Sequence, residues 1–310
     1  MELKDKKILV TGGKGFLGSA LVPKLREKGA EVVTFNSKDY DLRIKKDVVR
    51  LLKDFNPEIV IHLAVDGGGI GYIGKNPGSV LYNNLMMNTN LMEQCRINGI
   101  EKFVGVGSVC SYPKFTNVPF KEEDLWNGYP EETNASYGLS KKVMLVQGQS
   151  YREQYGFNAI HLLPINLYGP NDSFDLQKSH VVPALIRKMV EAKKNNQNLI
   201  TFWGSGNASR EFLYVDDCAN AIINATEYYN KSEPINIGTG GEITIKELAD
   251  KIKKIVGYKG DIKWDITKPD GQLRRCLDIS KAKKEFNFRI KTNLDDGLRK
   301  TFEWYIIQNK

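Results

Sequence analysis

Short runs of apolar residues alternate with amphipathic stretches through the first half of the chain. Continuous apolar runs of about four to eight residues are typical of strands buried on both faces, as in a parallel sheet. Such runs predict strands at residues 7–11, 31–35, 59–63, 102–107 and 158–163. Helical periodicity separates them, from a turn at 12–18 to about residue 28, then at 45–55, 79–98 and 135–155. This alternation predicts an α/β fold built on a doubly wound parallel sheet.

The regular alternation ends after Tyr168, where the pattern becomes mixed. It predicts helices at 181–195, 216–229, 244–256 and 294–308, and strands at 201–203, 210–215, 234–237 and 262–265. We expect the strand at 234–237 to return to the main sheet. The predicted organisation is a dinucleotide-binding domain of residues 1–167 plus about 211–238, with a smaller interleaved α/β substrate domain of about 168–210 plus 239–310. The glycine-rich segment 64–77 is predicted to be a loop at the carboxyl end of a strand.

Composition narrows the class of protein. The chain has 310 residues, 41% of them hydrophobic, and no apolar run approaches the roughly 20 residues of a membrane span. The residues before the first strand lack the apolar core of a signal peptide, and four scattered cysteines have no CxxC spacing. We therefore expect a cytoplasmic protein with reduced thiols, no membrane association and no metal site.

The net charge of +8 raises the question of an anionic partner. Lysines are spread along the chain and cluster only as pairs, so solvated helix faces explain most of the excess. The remainder fits a preference for small anionic ligands such as diphosphates. No basic run interleaved with aromatic residues occurs, and nucleic acid is not an expected partner.

A turn with glycines at three-residue intervals follows the first predicted strand. In Gly12–Gly18, which includes Phe16 and Leu17, Gly12, Gly15 and Gly18 permit a tight turn and close approach to a pyrophosphate. The next helix would offer its free N–H groups to the phosphates. The pattern favours a Rossmann dinucleotide site over an ordinary strand–helix turn.

The end of the second predicted strand indicates which nicotinamide is bound. NAD sites usually carry Asp or Glu there for the ribose hydroxyls. This chain has Asn36, Ser37 and Lys38, with Lys14 inside the glycine turn, and these residues favour NADP(H). Asp41 fits either the adenine side of the cofactor or the N-cap of the next helix.

A tyrosine and a lysine four residues apart lie in the predicted helix 135–155. Tyr137 and Lys141 would share one helix face, one turn apart. A phenol titrates near pH ~10 in water, and an adjacent ammonium would lower its pKa and make it a better acid–base group. Beside the dinucleotide turn, this pair indicates an acid–base site rather than a chance match of the pattern.

These motifs, with Ser108 at the end of a predicted strand, resemble the extended short-chain dehydrogenase/reductase superfamily. The resemblance implies a catalytic triad of Ser108, Tyr137 and Lys141, with Lys141 on the nicotinamide ribose. More specific segments resemble the GDP-L-fucose synthase family across essentially the whole chain. These segments are 107–114, 164–170, 179–187, 203–212, 215–217, 237–240, 257–260 and 268–271.

That family converts GDP-4-keto-6-deoxymannose by two epimerisations and a reduction, so the resemblance implies a GDP-linked keto-deoxy sugar substrate. A carbon next to the 4-keto group is acidic because its anion is an enolate, and inverting it needs a base and an acid on opposite faces. Cys110 and His180 are suitable types and would take these roles by resemblance. A buried cysteine with a packing role is the alternative for Cys110. His62 and His161 lie inside apolar strands and are interpreted as core residues.

The resemblance also implies further binding residues and a homodimer. Trp203, Arg210, Lys188 and Asp270 would face the GDP-sugar, although a structural Trp and a surface Arg are the alternatives. The dimer would form through the helices at 79–98 and 135–155. The implied cofactor residues beyond the glycine turn are Leu63, Ala64, Pro164, Asn166 and Leu167.

Several residues depart from the family pattern. They are Val109, Ile165, Asp66 in place of a cation, and Gly138 in place of the usual alanine. They leave open a 4-reductase, a 4-epimerase or a relative acting on a GDP-heptose. A 4,6-dehydratase would carry Asp-Glu where this chain has Val109 and Cys110. A non-catalytic dinucleotide sensor would be expected to have lost Tyr137 or Lys141.

Overall fold

The computed structural model describes residues 1–268 and 270–309; Pro269, part of the 268–271 segment, lies outside them. The strands are β1 Lys7–Thr11, β2 Glu31–Val33, β3 Ile59–His62, β4 Lys102–Val106, β5 Ala159–Pro164, β6 Asn166–Tyr168, β7 Leu199–Trp203, β8 Ser209–Arg210, β9 Phe212–Tyr214, β10 Ile235–Ile237, β11 Ile243–Thr244 and β12 Asp261–Asp265. The helices are α1 Phe16–Glu27, α2 Lys45–Phe55, α3 Ile70–Lys75, α4 Pro77–Ile97, α5 Ala135–Tyr155, α6 Val181–Lys194, α7 Val215–Tyr228, α8 Ile245–Val256, α9 Ser280–Phe286 and α10 Leu294–Gln308.

Six parallel strands form the main sheet in the order β10-β5-β4-β3-β1-β2. The predicted α/β class and doubly wound parallel sheet are confirmed. The expected return of the strand near 234–237 is also confirmed, since β10 pairs with β5 at the edge. The chain order changes direction between β1 and β3, and ligands of open α/β sheets bind beyond the carboxyl ends of such strands.

Both faces of the sheet are buried, because consecutive residues of a strand point to opposite sides. Ile8 and Val10 of β1 pack in one apolar cluster with residues of α1, α7 and α9. Leu9, between them, packs in a second cluster with residues of α2, α4 and α5. Helices on both faces explain why these strands read as continuous apolar runs rather than alternating ones.

A third apolar cluster belongs to the second half of the chain. It joins α6, α8 and α10 to β7 and to Tyr168, Phe212 and Tyr214. Small two-stranded sheets connect this part, with β12 on β7, β11 on β8 and β9 on β6. Strand β6 directly follows β5 of the main sheet, and β9 leads through α7 to β10 of the main sheet. The chain therefore passes repeatedly between the two parts.

Two predicted segments differ from the structure. The predicted loop 64–77 contains a short helix, α3, which begins after Gly69, and α4 starts at Pro77. The predicted strand 210–215 is divided at Glu211, which is fully buried. Its carboxylate accepts backbone N–H bonds from Gly240 at 2.8 Å and Leu277 at 2.7 Å. This buried acid therefore separates β8, which pairs with β11, from β9, which pairs with β6.

Candidate functional site

The glycine turn joins β1 to α1 at the carboxyl edge of the sheet. Gly12 has a φ of 68°, and a Cβ there would lie 2.8 Å from the backbone nitrogen of Ala64. A Cβ at Gly18 would lie 2.5 Å from the carbonyl oxygen of Gly12. Gly15 is the N-cap of α1, whose first turn has neither an acidic residue nor a side-chain cap. The turn thus leaves helix N–H groups available to an anion, which fits a dinucleotide pyrophosphate.

The residues expected to distinguish NADP from NAD lie together beyond β2. Lys14 donates from Nζ to Oδ1 of Asn36 at 3.0 Å, so the turn and the end of β2 are in direct contact. Ser37 and Lys38 follow and are exposed. Lys14 and Lys38 supply two ammonium groups here, and none of these four residues carries a carboxylate.

Asp41 has another partner. Its carboxylate binds the guanidinium of Arg43 at 2.6 Å, and this contact lowers the pKa of Asp41 below its usual range. It is not the N-cap of α2, because Ile44 occupies that position. The N-cap alternative is therefore wrong. The adenine-side role stays a prediction.

The remaining cofactor residues lie at the ends of neighbouring strands. Leu63 and Ala64 follow β3, and the Ala64 N–H donates to Oγ1 of Thr11 at 3.1 Å. Pro164 ends β5, while Asn166 and Leu167 lie in β6. Because the carboxyl ends of parallel strands share one edge, these residues line the same edge as the glycine turn.

Tyr137 and Lys141 lie one turn apart in α5, as the spacing predicts. The Lys141 ammonium donates to the carbonyl oxygen of Val106 at 2.9 Å and lies 5.9 Å from the centre of the Tyr137 ring. The Ser108 hydroxyl also acts on the phenol by hydrogen bonding. The end of β4 and the first turn of α5 therefore bring the three residues of the predicted triad together.

Protonation in this cluster differs from the expectation. Burial raises the pKa of the Tyr137 phenol above 10, with a further rise from Cys110 and an opposing effect of Ser108. Burial lowers the pKa of Lys141 to about 8. The predicted lowering of the Tyr137 pKa is thus wrong for this structure, because desolvation outweighs an ammonium that is bonded to Val106. A neutral phenol suits proton donation.

Cys110 lies in a 3-10 turn, Val109–Ser111, that follows the triad serine. Its N–H donates to Oγ of Ser108 at 3.1 Å, which ties the two side chains to one turn. A Cβ at Gly138 would collide with the carbonyl oxygen of Cys110. Glycine at position 138, in place of the family alanine, therefore lets this turn lie directly against α5. Cys110 is partly exposed, whereas the other three cysteines are buried.

His180 is the N-cap residue of α6, and its side chain is 53% exposed. Its Nδ1 lies 3.7 Å from Oδ1 of Asp172, whose side chain is only 3% exposed. The other oxygen of that carboxylate is buried without a hydrogen-bond partner. His62 and His161 are fully buried, and burial lowers the pKa of each to about 3, so their interpretation as core residues is confirmed.

The glycine segment before α3 links these two parts of the site. A Cβ at Gly67 would lie 3.8 Å from the Tyr137 ring, and the Gly69 N–H donates to the carbonyl oxygen of Lys178 at 2.8 Å. Lys178 is two residues before His180. Asp66, one of the departures from the family pattern, anchors the segment through the Tyr72 hydroxyl at 2.7 Å and Asn83 at 2.7 Å.

Three of the predicted substrate residues are close together. Arg210 donates from Nη2 to the carbonyl oxygen of Asp270 at 3.1 Å. The Asp270 carboxylate accepts from the N–H and hydroxyl of Ser205, both at 2.7 Å, two residues after Trp203. Trp203 is 64% exposed, so its indole ring is accessible for stacking on a planar group. Lys188 packs 5.6 Å from the Phe202 ring, on the face of β7 opposite Trp203, and burial lowers its pKa.

Sequence reasoning missed two charged residues of this site. Arg275 has 7% exposure, and its Nη1 lies 3.6 Å from the Cys110 sulfur. Asp172 is the buried partner of His180. The signals were weak: Arg275 follows another arginine, and Asp172 ends a short turn, so neither stands out by spacing.

The described residues contain no group of three or more His, Cys, Asp or Glu that could hold a metal ion. Among them there is also no helix that is both long and apolar enough to cross a membrane.

Comparison with known proteins identifies close relatives. The model of the NAD dependent epimerase/dehydratase family matches residues 8–238. A GDP-L-fucose synthase of Sinorhizobium fredii is 42% identical over 98% of this chain and 96% of its own length. A GDP-6-OMe-4-keto-L-xylo-heptose reductase from C. jejuni superposes with a TM-score of 0.93 at 32% identity, covering 100% of this chain and 99% of that one. A GDP-mannoheptose C4 reductase from Campylobacter jejuni with NADP bound superposes with a TM-score of 0.89 at 32% identity, over 99% of both chains.

Proposed function

This chain belongs to the NAD dependent epimerase/dehydratase family and, within it, to the GDP-L-fucose synthase group, and we propose the reaction it performs. The proposed reaction is NADPH-dependent epimerisation at carbons 3 and 5, and reduction at carbon 4, of GDP-4-keto-6-deoxymannose. The observation that carries the proposal is the single turn after β4. There Ser108 acts on the Tyr137 phenol while Cys110, tied to the same serine, lies against α5.

The cofactor side supports NADP(H). The glycine turn has the close backbone contacts that a pyrophosphate site needs, and Lys14 and Lys38 are suitable for a 2′-phosphate. Lys141 would hold the nicotinamide ribose. When bound, NADPH supplies the hydride for carbon 4.

The reductive step needs a proton at the 4-oxygen. Tyr137 donates it, since burial keeps the phenol neutral at physiological pH. Ser108 hydrogen-bonds the same oxygen and orients the keto group. Burial also excludes water from the phenol, which strengthens both interactions.

The epimerisations need a base and an acid beside the sugar carbons that flank the keto group. Cys110 is the base and His180 the acid, and the segment 66–69 connects the elements that carry Tyr137 and His180. The GDP moiety would lie between exposed Trp203, which stacks on the guanine, and Arg210, which binds the diphosphate. Asp270 orients Arg210 through its carbonyl oxygen.

A second candidate is reduction of a GDP-4-keto-heptose without the epimerisations. It is favoured by the similarity to two GDP-heptose reductases and by the departures at Val109 and Asp66. The two candidates share the reductive triad and differ in whether Cys110 and His180 exchange protons with the sugar.

The deciding experiment follows NADPH absorbance with GDP-4-keto-6-deoxymannose and identifies the product by proton NMR in deuterated water. We expect NADPH oxidation, a GDP-L-fucose product and deuterium at carbons 3 and 5. Oxidation to a sugar without epimerisation or deuterium would contradict the epimerase assignment and leave the reductase. Failure with this sugar but turnover of a GDP-4-keto-heptose would favour the second candidate.

We also propose that the protein is cytoplasmic and forms a homodimer through α4 and α5. Support for the dimer comes from an apolar groove of about 590 Å³ on this face, lined by Leu139, Val143, Val146 and Trp126. Val143 and Val146 are 45% and 44% exposed. Val146→Glu should convert the dimer to a monomer, as measured by light scattering coupled to gel filtration.

The domain division is likewise proposed: residues 1–167 with about 211–238 would bind the dinucleotide, and about 168–210 with 239–310 would bind the GDP-sugar. The separate apolar cluster around α6, α8 and α10 supports a second unit. Limited proteolysis with and without NADPH should protect the first set of residues preferentially.

A further inference from the structure

The guanidinium of Arg275 is directed at the Cys110 sulfur. Its Nη1 lies 3.6 Å from Sγ, and its Nε donates to Oε1 of Gln272 at 3.1 Å. An arginine is seldom this buried unless an acid pairs with it. Within residues 1–268 and 270–309, no carboxylate forms an ion pair with Arg275, and the sulfur is the group its outer nitrogen reaches.

The backbone around Arg275 holds this position from two sides. The Glu211 N–H donates to the carbonyl oxygen of Arg275 at 3.1 Å, and the Phe120 N–H donates to that of Cys276 at 2.8 Å. The next residue, Leu277, donates its N–H to the buried Glu211 carboxylate at 2.7 Å. The segment is thus held at the division between β8 and β9 on one side and at Phe120 on the other, with the guanidinium against the sulfur.

A second arginine lies beside the first. Burial lowers the pKa of Arg210 to about 10, and the nearby charge of Arg275 adds to this effect. Arg210 is bonded to backbone carbonyl oxygens of Ser209 and Asp270. Two partly buried guanidinium groups whose hydrogen-bond partners are all neutral repel each other and favour negative charge between them. The carboxylates of Asp270 and Glu131 also act on the charge of Arg210, and Cys110 is the ionisable side chain that Arg275 contacts.

We propose that Arg275 is a positioning residue for epimerisation, holding the Cys110 sulfur towards the sugar and stabilising its negative charge. The inference rests on the proposed function. In the step it serves, the C–H bond next to the 4-keto group breaks, its electron pair forms the enolate, and its proton forms an S–H bond. A proton from His180 then completes a new C–H bond on the opposite face as the enolate returns to the ketone.

The test compares Arg275→Gln and Arg275→Lys with a matched control, Arg274→Gln. Arg274 is the preceding residue, but its side chain is 60% exposed and pairs with Glu242 on the outside. Arg274→Gln therefore removes the same charge from the same segment without touching Cys110. Thermal unfolding of each variant confirms that it is folded, and Cys110→Ser identifies the signal that belongs to this thiol.

The first readout needs no substrate. The peptide containing Cys110 is followed by mass spectrometry during alkylation with iodoacetate, which is anionic, and with neutral iodoacetamide. We expect Arg275→Gln to slow iodoacetate about five- to tenfold, more than it slows iodoacetamide, because a charge-assisted contact is lost. Arg275→Lys should recover part of the rate, and Arg274→Gln should stay within about twofold of the wild type. Equal rates in both glutamine variants would overturn the proposal.

The second readout is deuterium exchange from solvent into the GDP-keto-sugar, compared with NADPH oxidation. Arg275→Gln should slow the exchange about tenfold, a loss of about 1.4 kcal/mol, and slow the reduction of pre-epimerised sugar less. Unchanged exchange would overturn the positioning role whatever the alkylation shows. If the wild type neither exchanges nor oxidises with any GDP-keto-sugar, the proposed function has failed, and the alkylation rates alone decide whether Arg275 acts on Cys110.

Discussion

The reductive and epimerising groups of this site are held in different ways. Tyr137 and Lys141 belong to one helix, and Lys141 is bonded to the strand that Ser108 follows. Cys110 lies in a turn and His180 at a helix N-cap, 53% exposed, where the segment 66–69 contacts the residues just before it. The reductive geometry is therefore built into a helix and a strand, whereas the epimerising geometry depends on contacts among loops.

The largest expected effect comes from removing the phenol oxygen of Tyr137, which should separate reduction from epimerisation. Tyr137→Phe should lower NADPH oxidation by roughly 10³-fold, since a positioned general acid contributes about 10² to 10⁴. Deuterium exchange into the sugar should persist, because the base and acid for that step are other residues. Stopped reduction with continued exchange is the expected result by absorbance and NMR; loss of both activities in a folded variant would contradict the separation.

Cys110→Ser should have the opposite pattern with a smaller effect. We expect exchange to fall about 10²-fold, because a hydroxyl is a much weaker base than a sulfur anion. Reduction should continue and give a sugar with unaltered stereochemistry at carbons 3 and 5. Full epimerisation by this variant would show that another group is the base.

The buried carboxylate next to His180 tests how that imidazole is held. In the wild type, the Ser173 N–H donates to Oδ1 of Asp172 at 2.7 Å. Asp172→Asn keeps an oxygen for this bond but removes the charge that faces His180. Exchange should fall roughly thirtyfold, part of what a positioned acid contributes, with reduction nearly unchanged. An equal decrease in both rates would indicate a general loss of structure instead.

The smallest effect is a pH dependence confined to reduction. Burial lowers the pKa of Lys141 to about 8, so its ammonium is present below that pH and lost above it, whereas an ordinary lysine stays charged to about pH 10. The kcat/KM for reduction should halve near pH 8 and fall about tenfold by pH 9. Lys141→Arg, which keeps its charge, should show no such fall in its remaining activity. A flat wild-type profile to about pH 10 would contradict the assignment.

The sequence predicted well those features that depend on local spacing. The helices at 45–55 and 135–155 have the predicted bounds. Because α5 was predicted correctly, Tyr137 and Lys141 were correctly placed one turn apart. The glycine turn was equally predictable, because its backbone contacts require glycine. Helix α3 was missed, since six residues with two glycines show little periodicity and the helix is held by its neighbours.

Two features that depend on tertiary contacts were not predicted. The Tyr137 pKa was expected to fall because Lys141 is near in sequence, yet burial, which the spacing does not reveal, raises it. Arg275 reaches Cys110 across 165 residues of chain. A pair so distant has no signature in one sequence, because nothing local constrains either residue.

The return of β10 to the edge of the main sheet has a consequence for synthesis on the ribosome. The ammonium of Lys102, at the start of β4, donates to the carbonyl oxygens of Thr226 at 2.5 Å and Tyr229 at 2.6 Å. Lys102 has 0% exposure, so this buried charge has no protein partners until the end of α7 has emerged. Because β5 ends at Pro164 and β10 begins at Ile235, the sheet of the nascent first half is complete only after the whole intervening segment has emerged, a long interval in which chaperones can act.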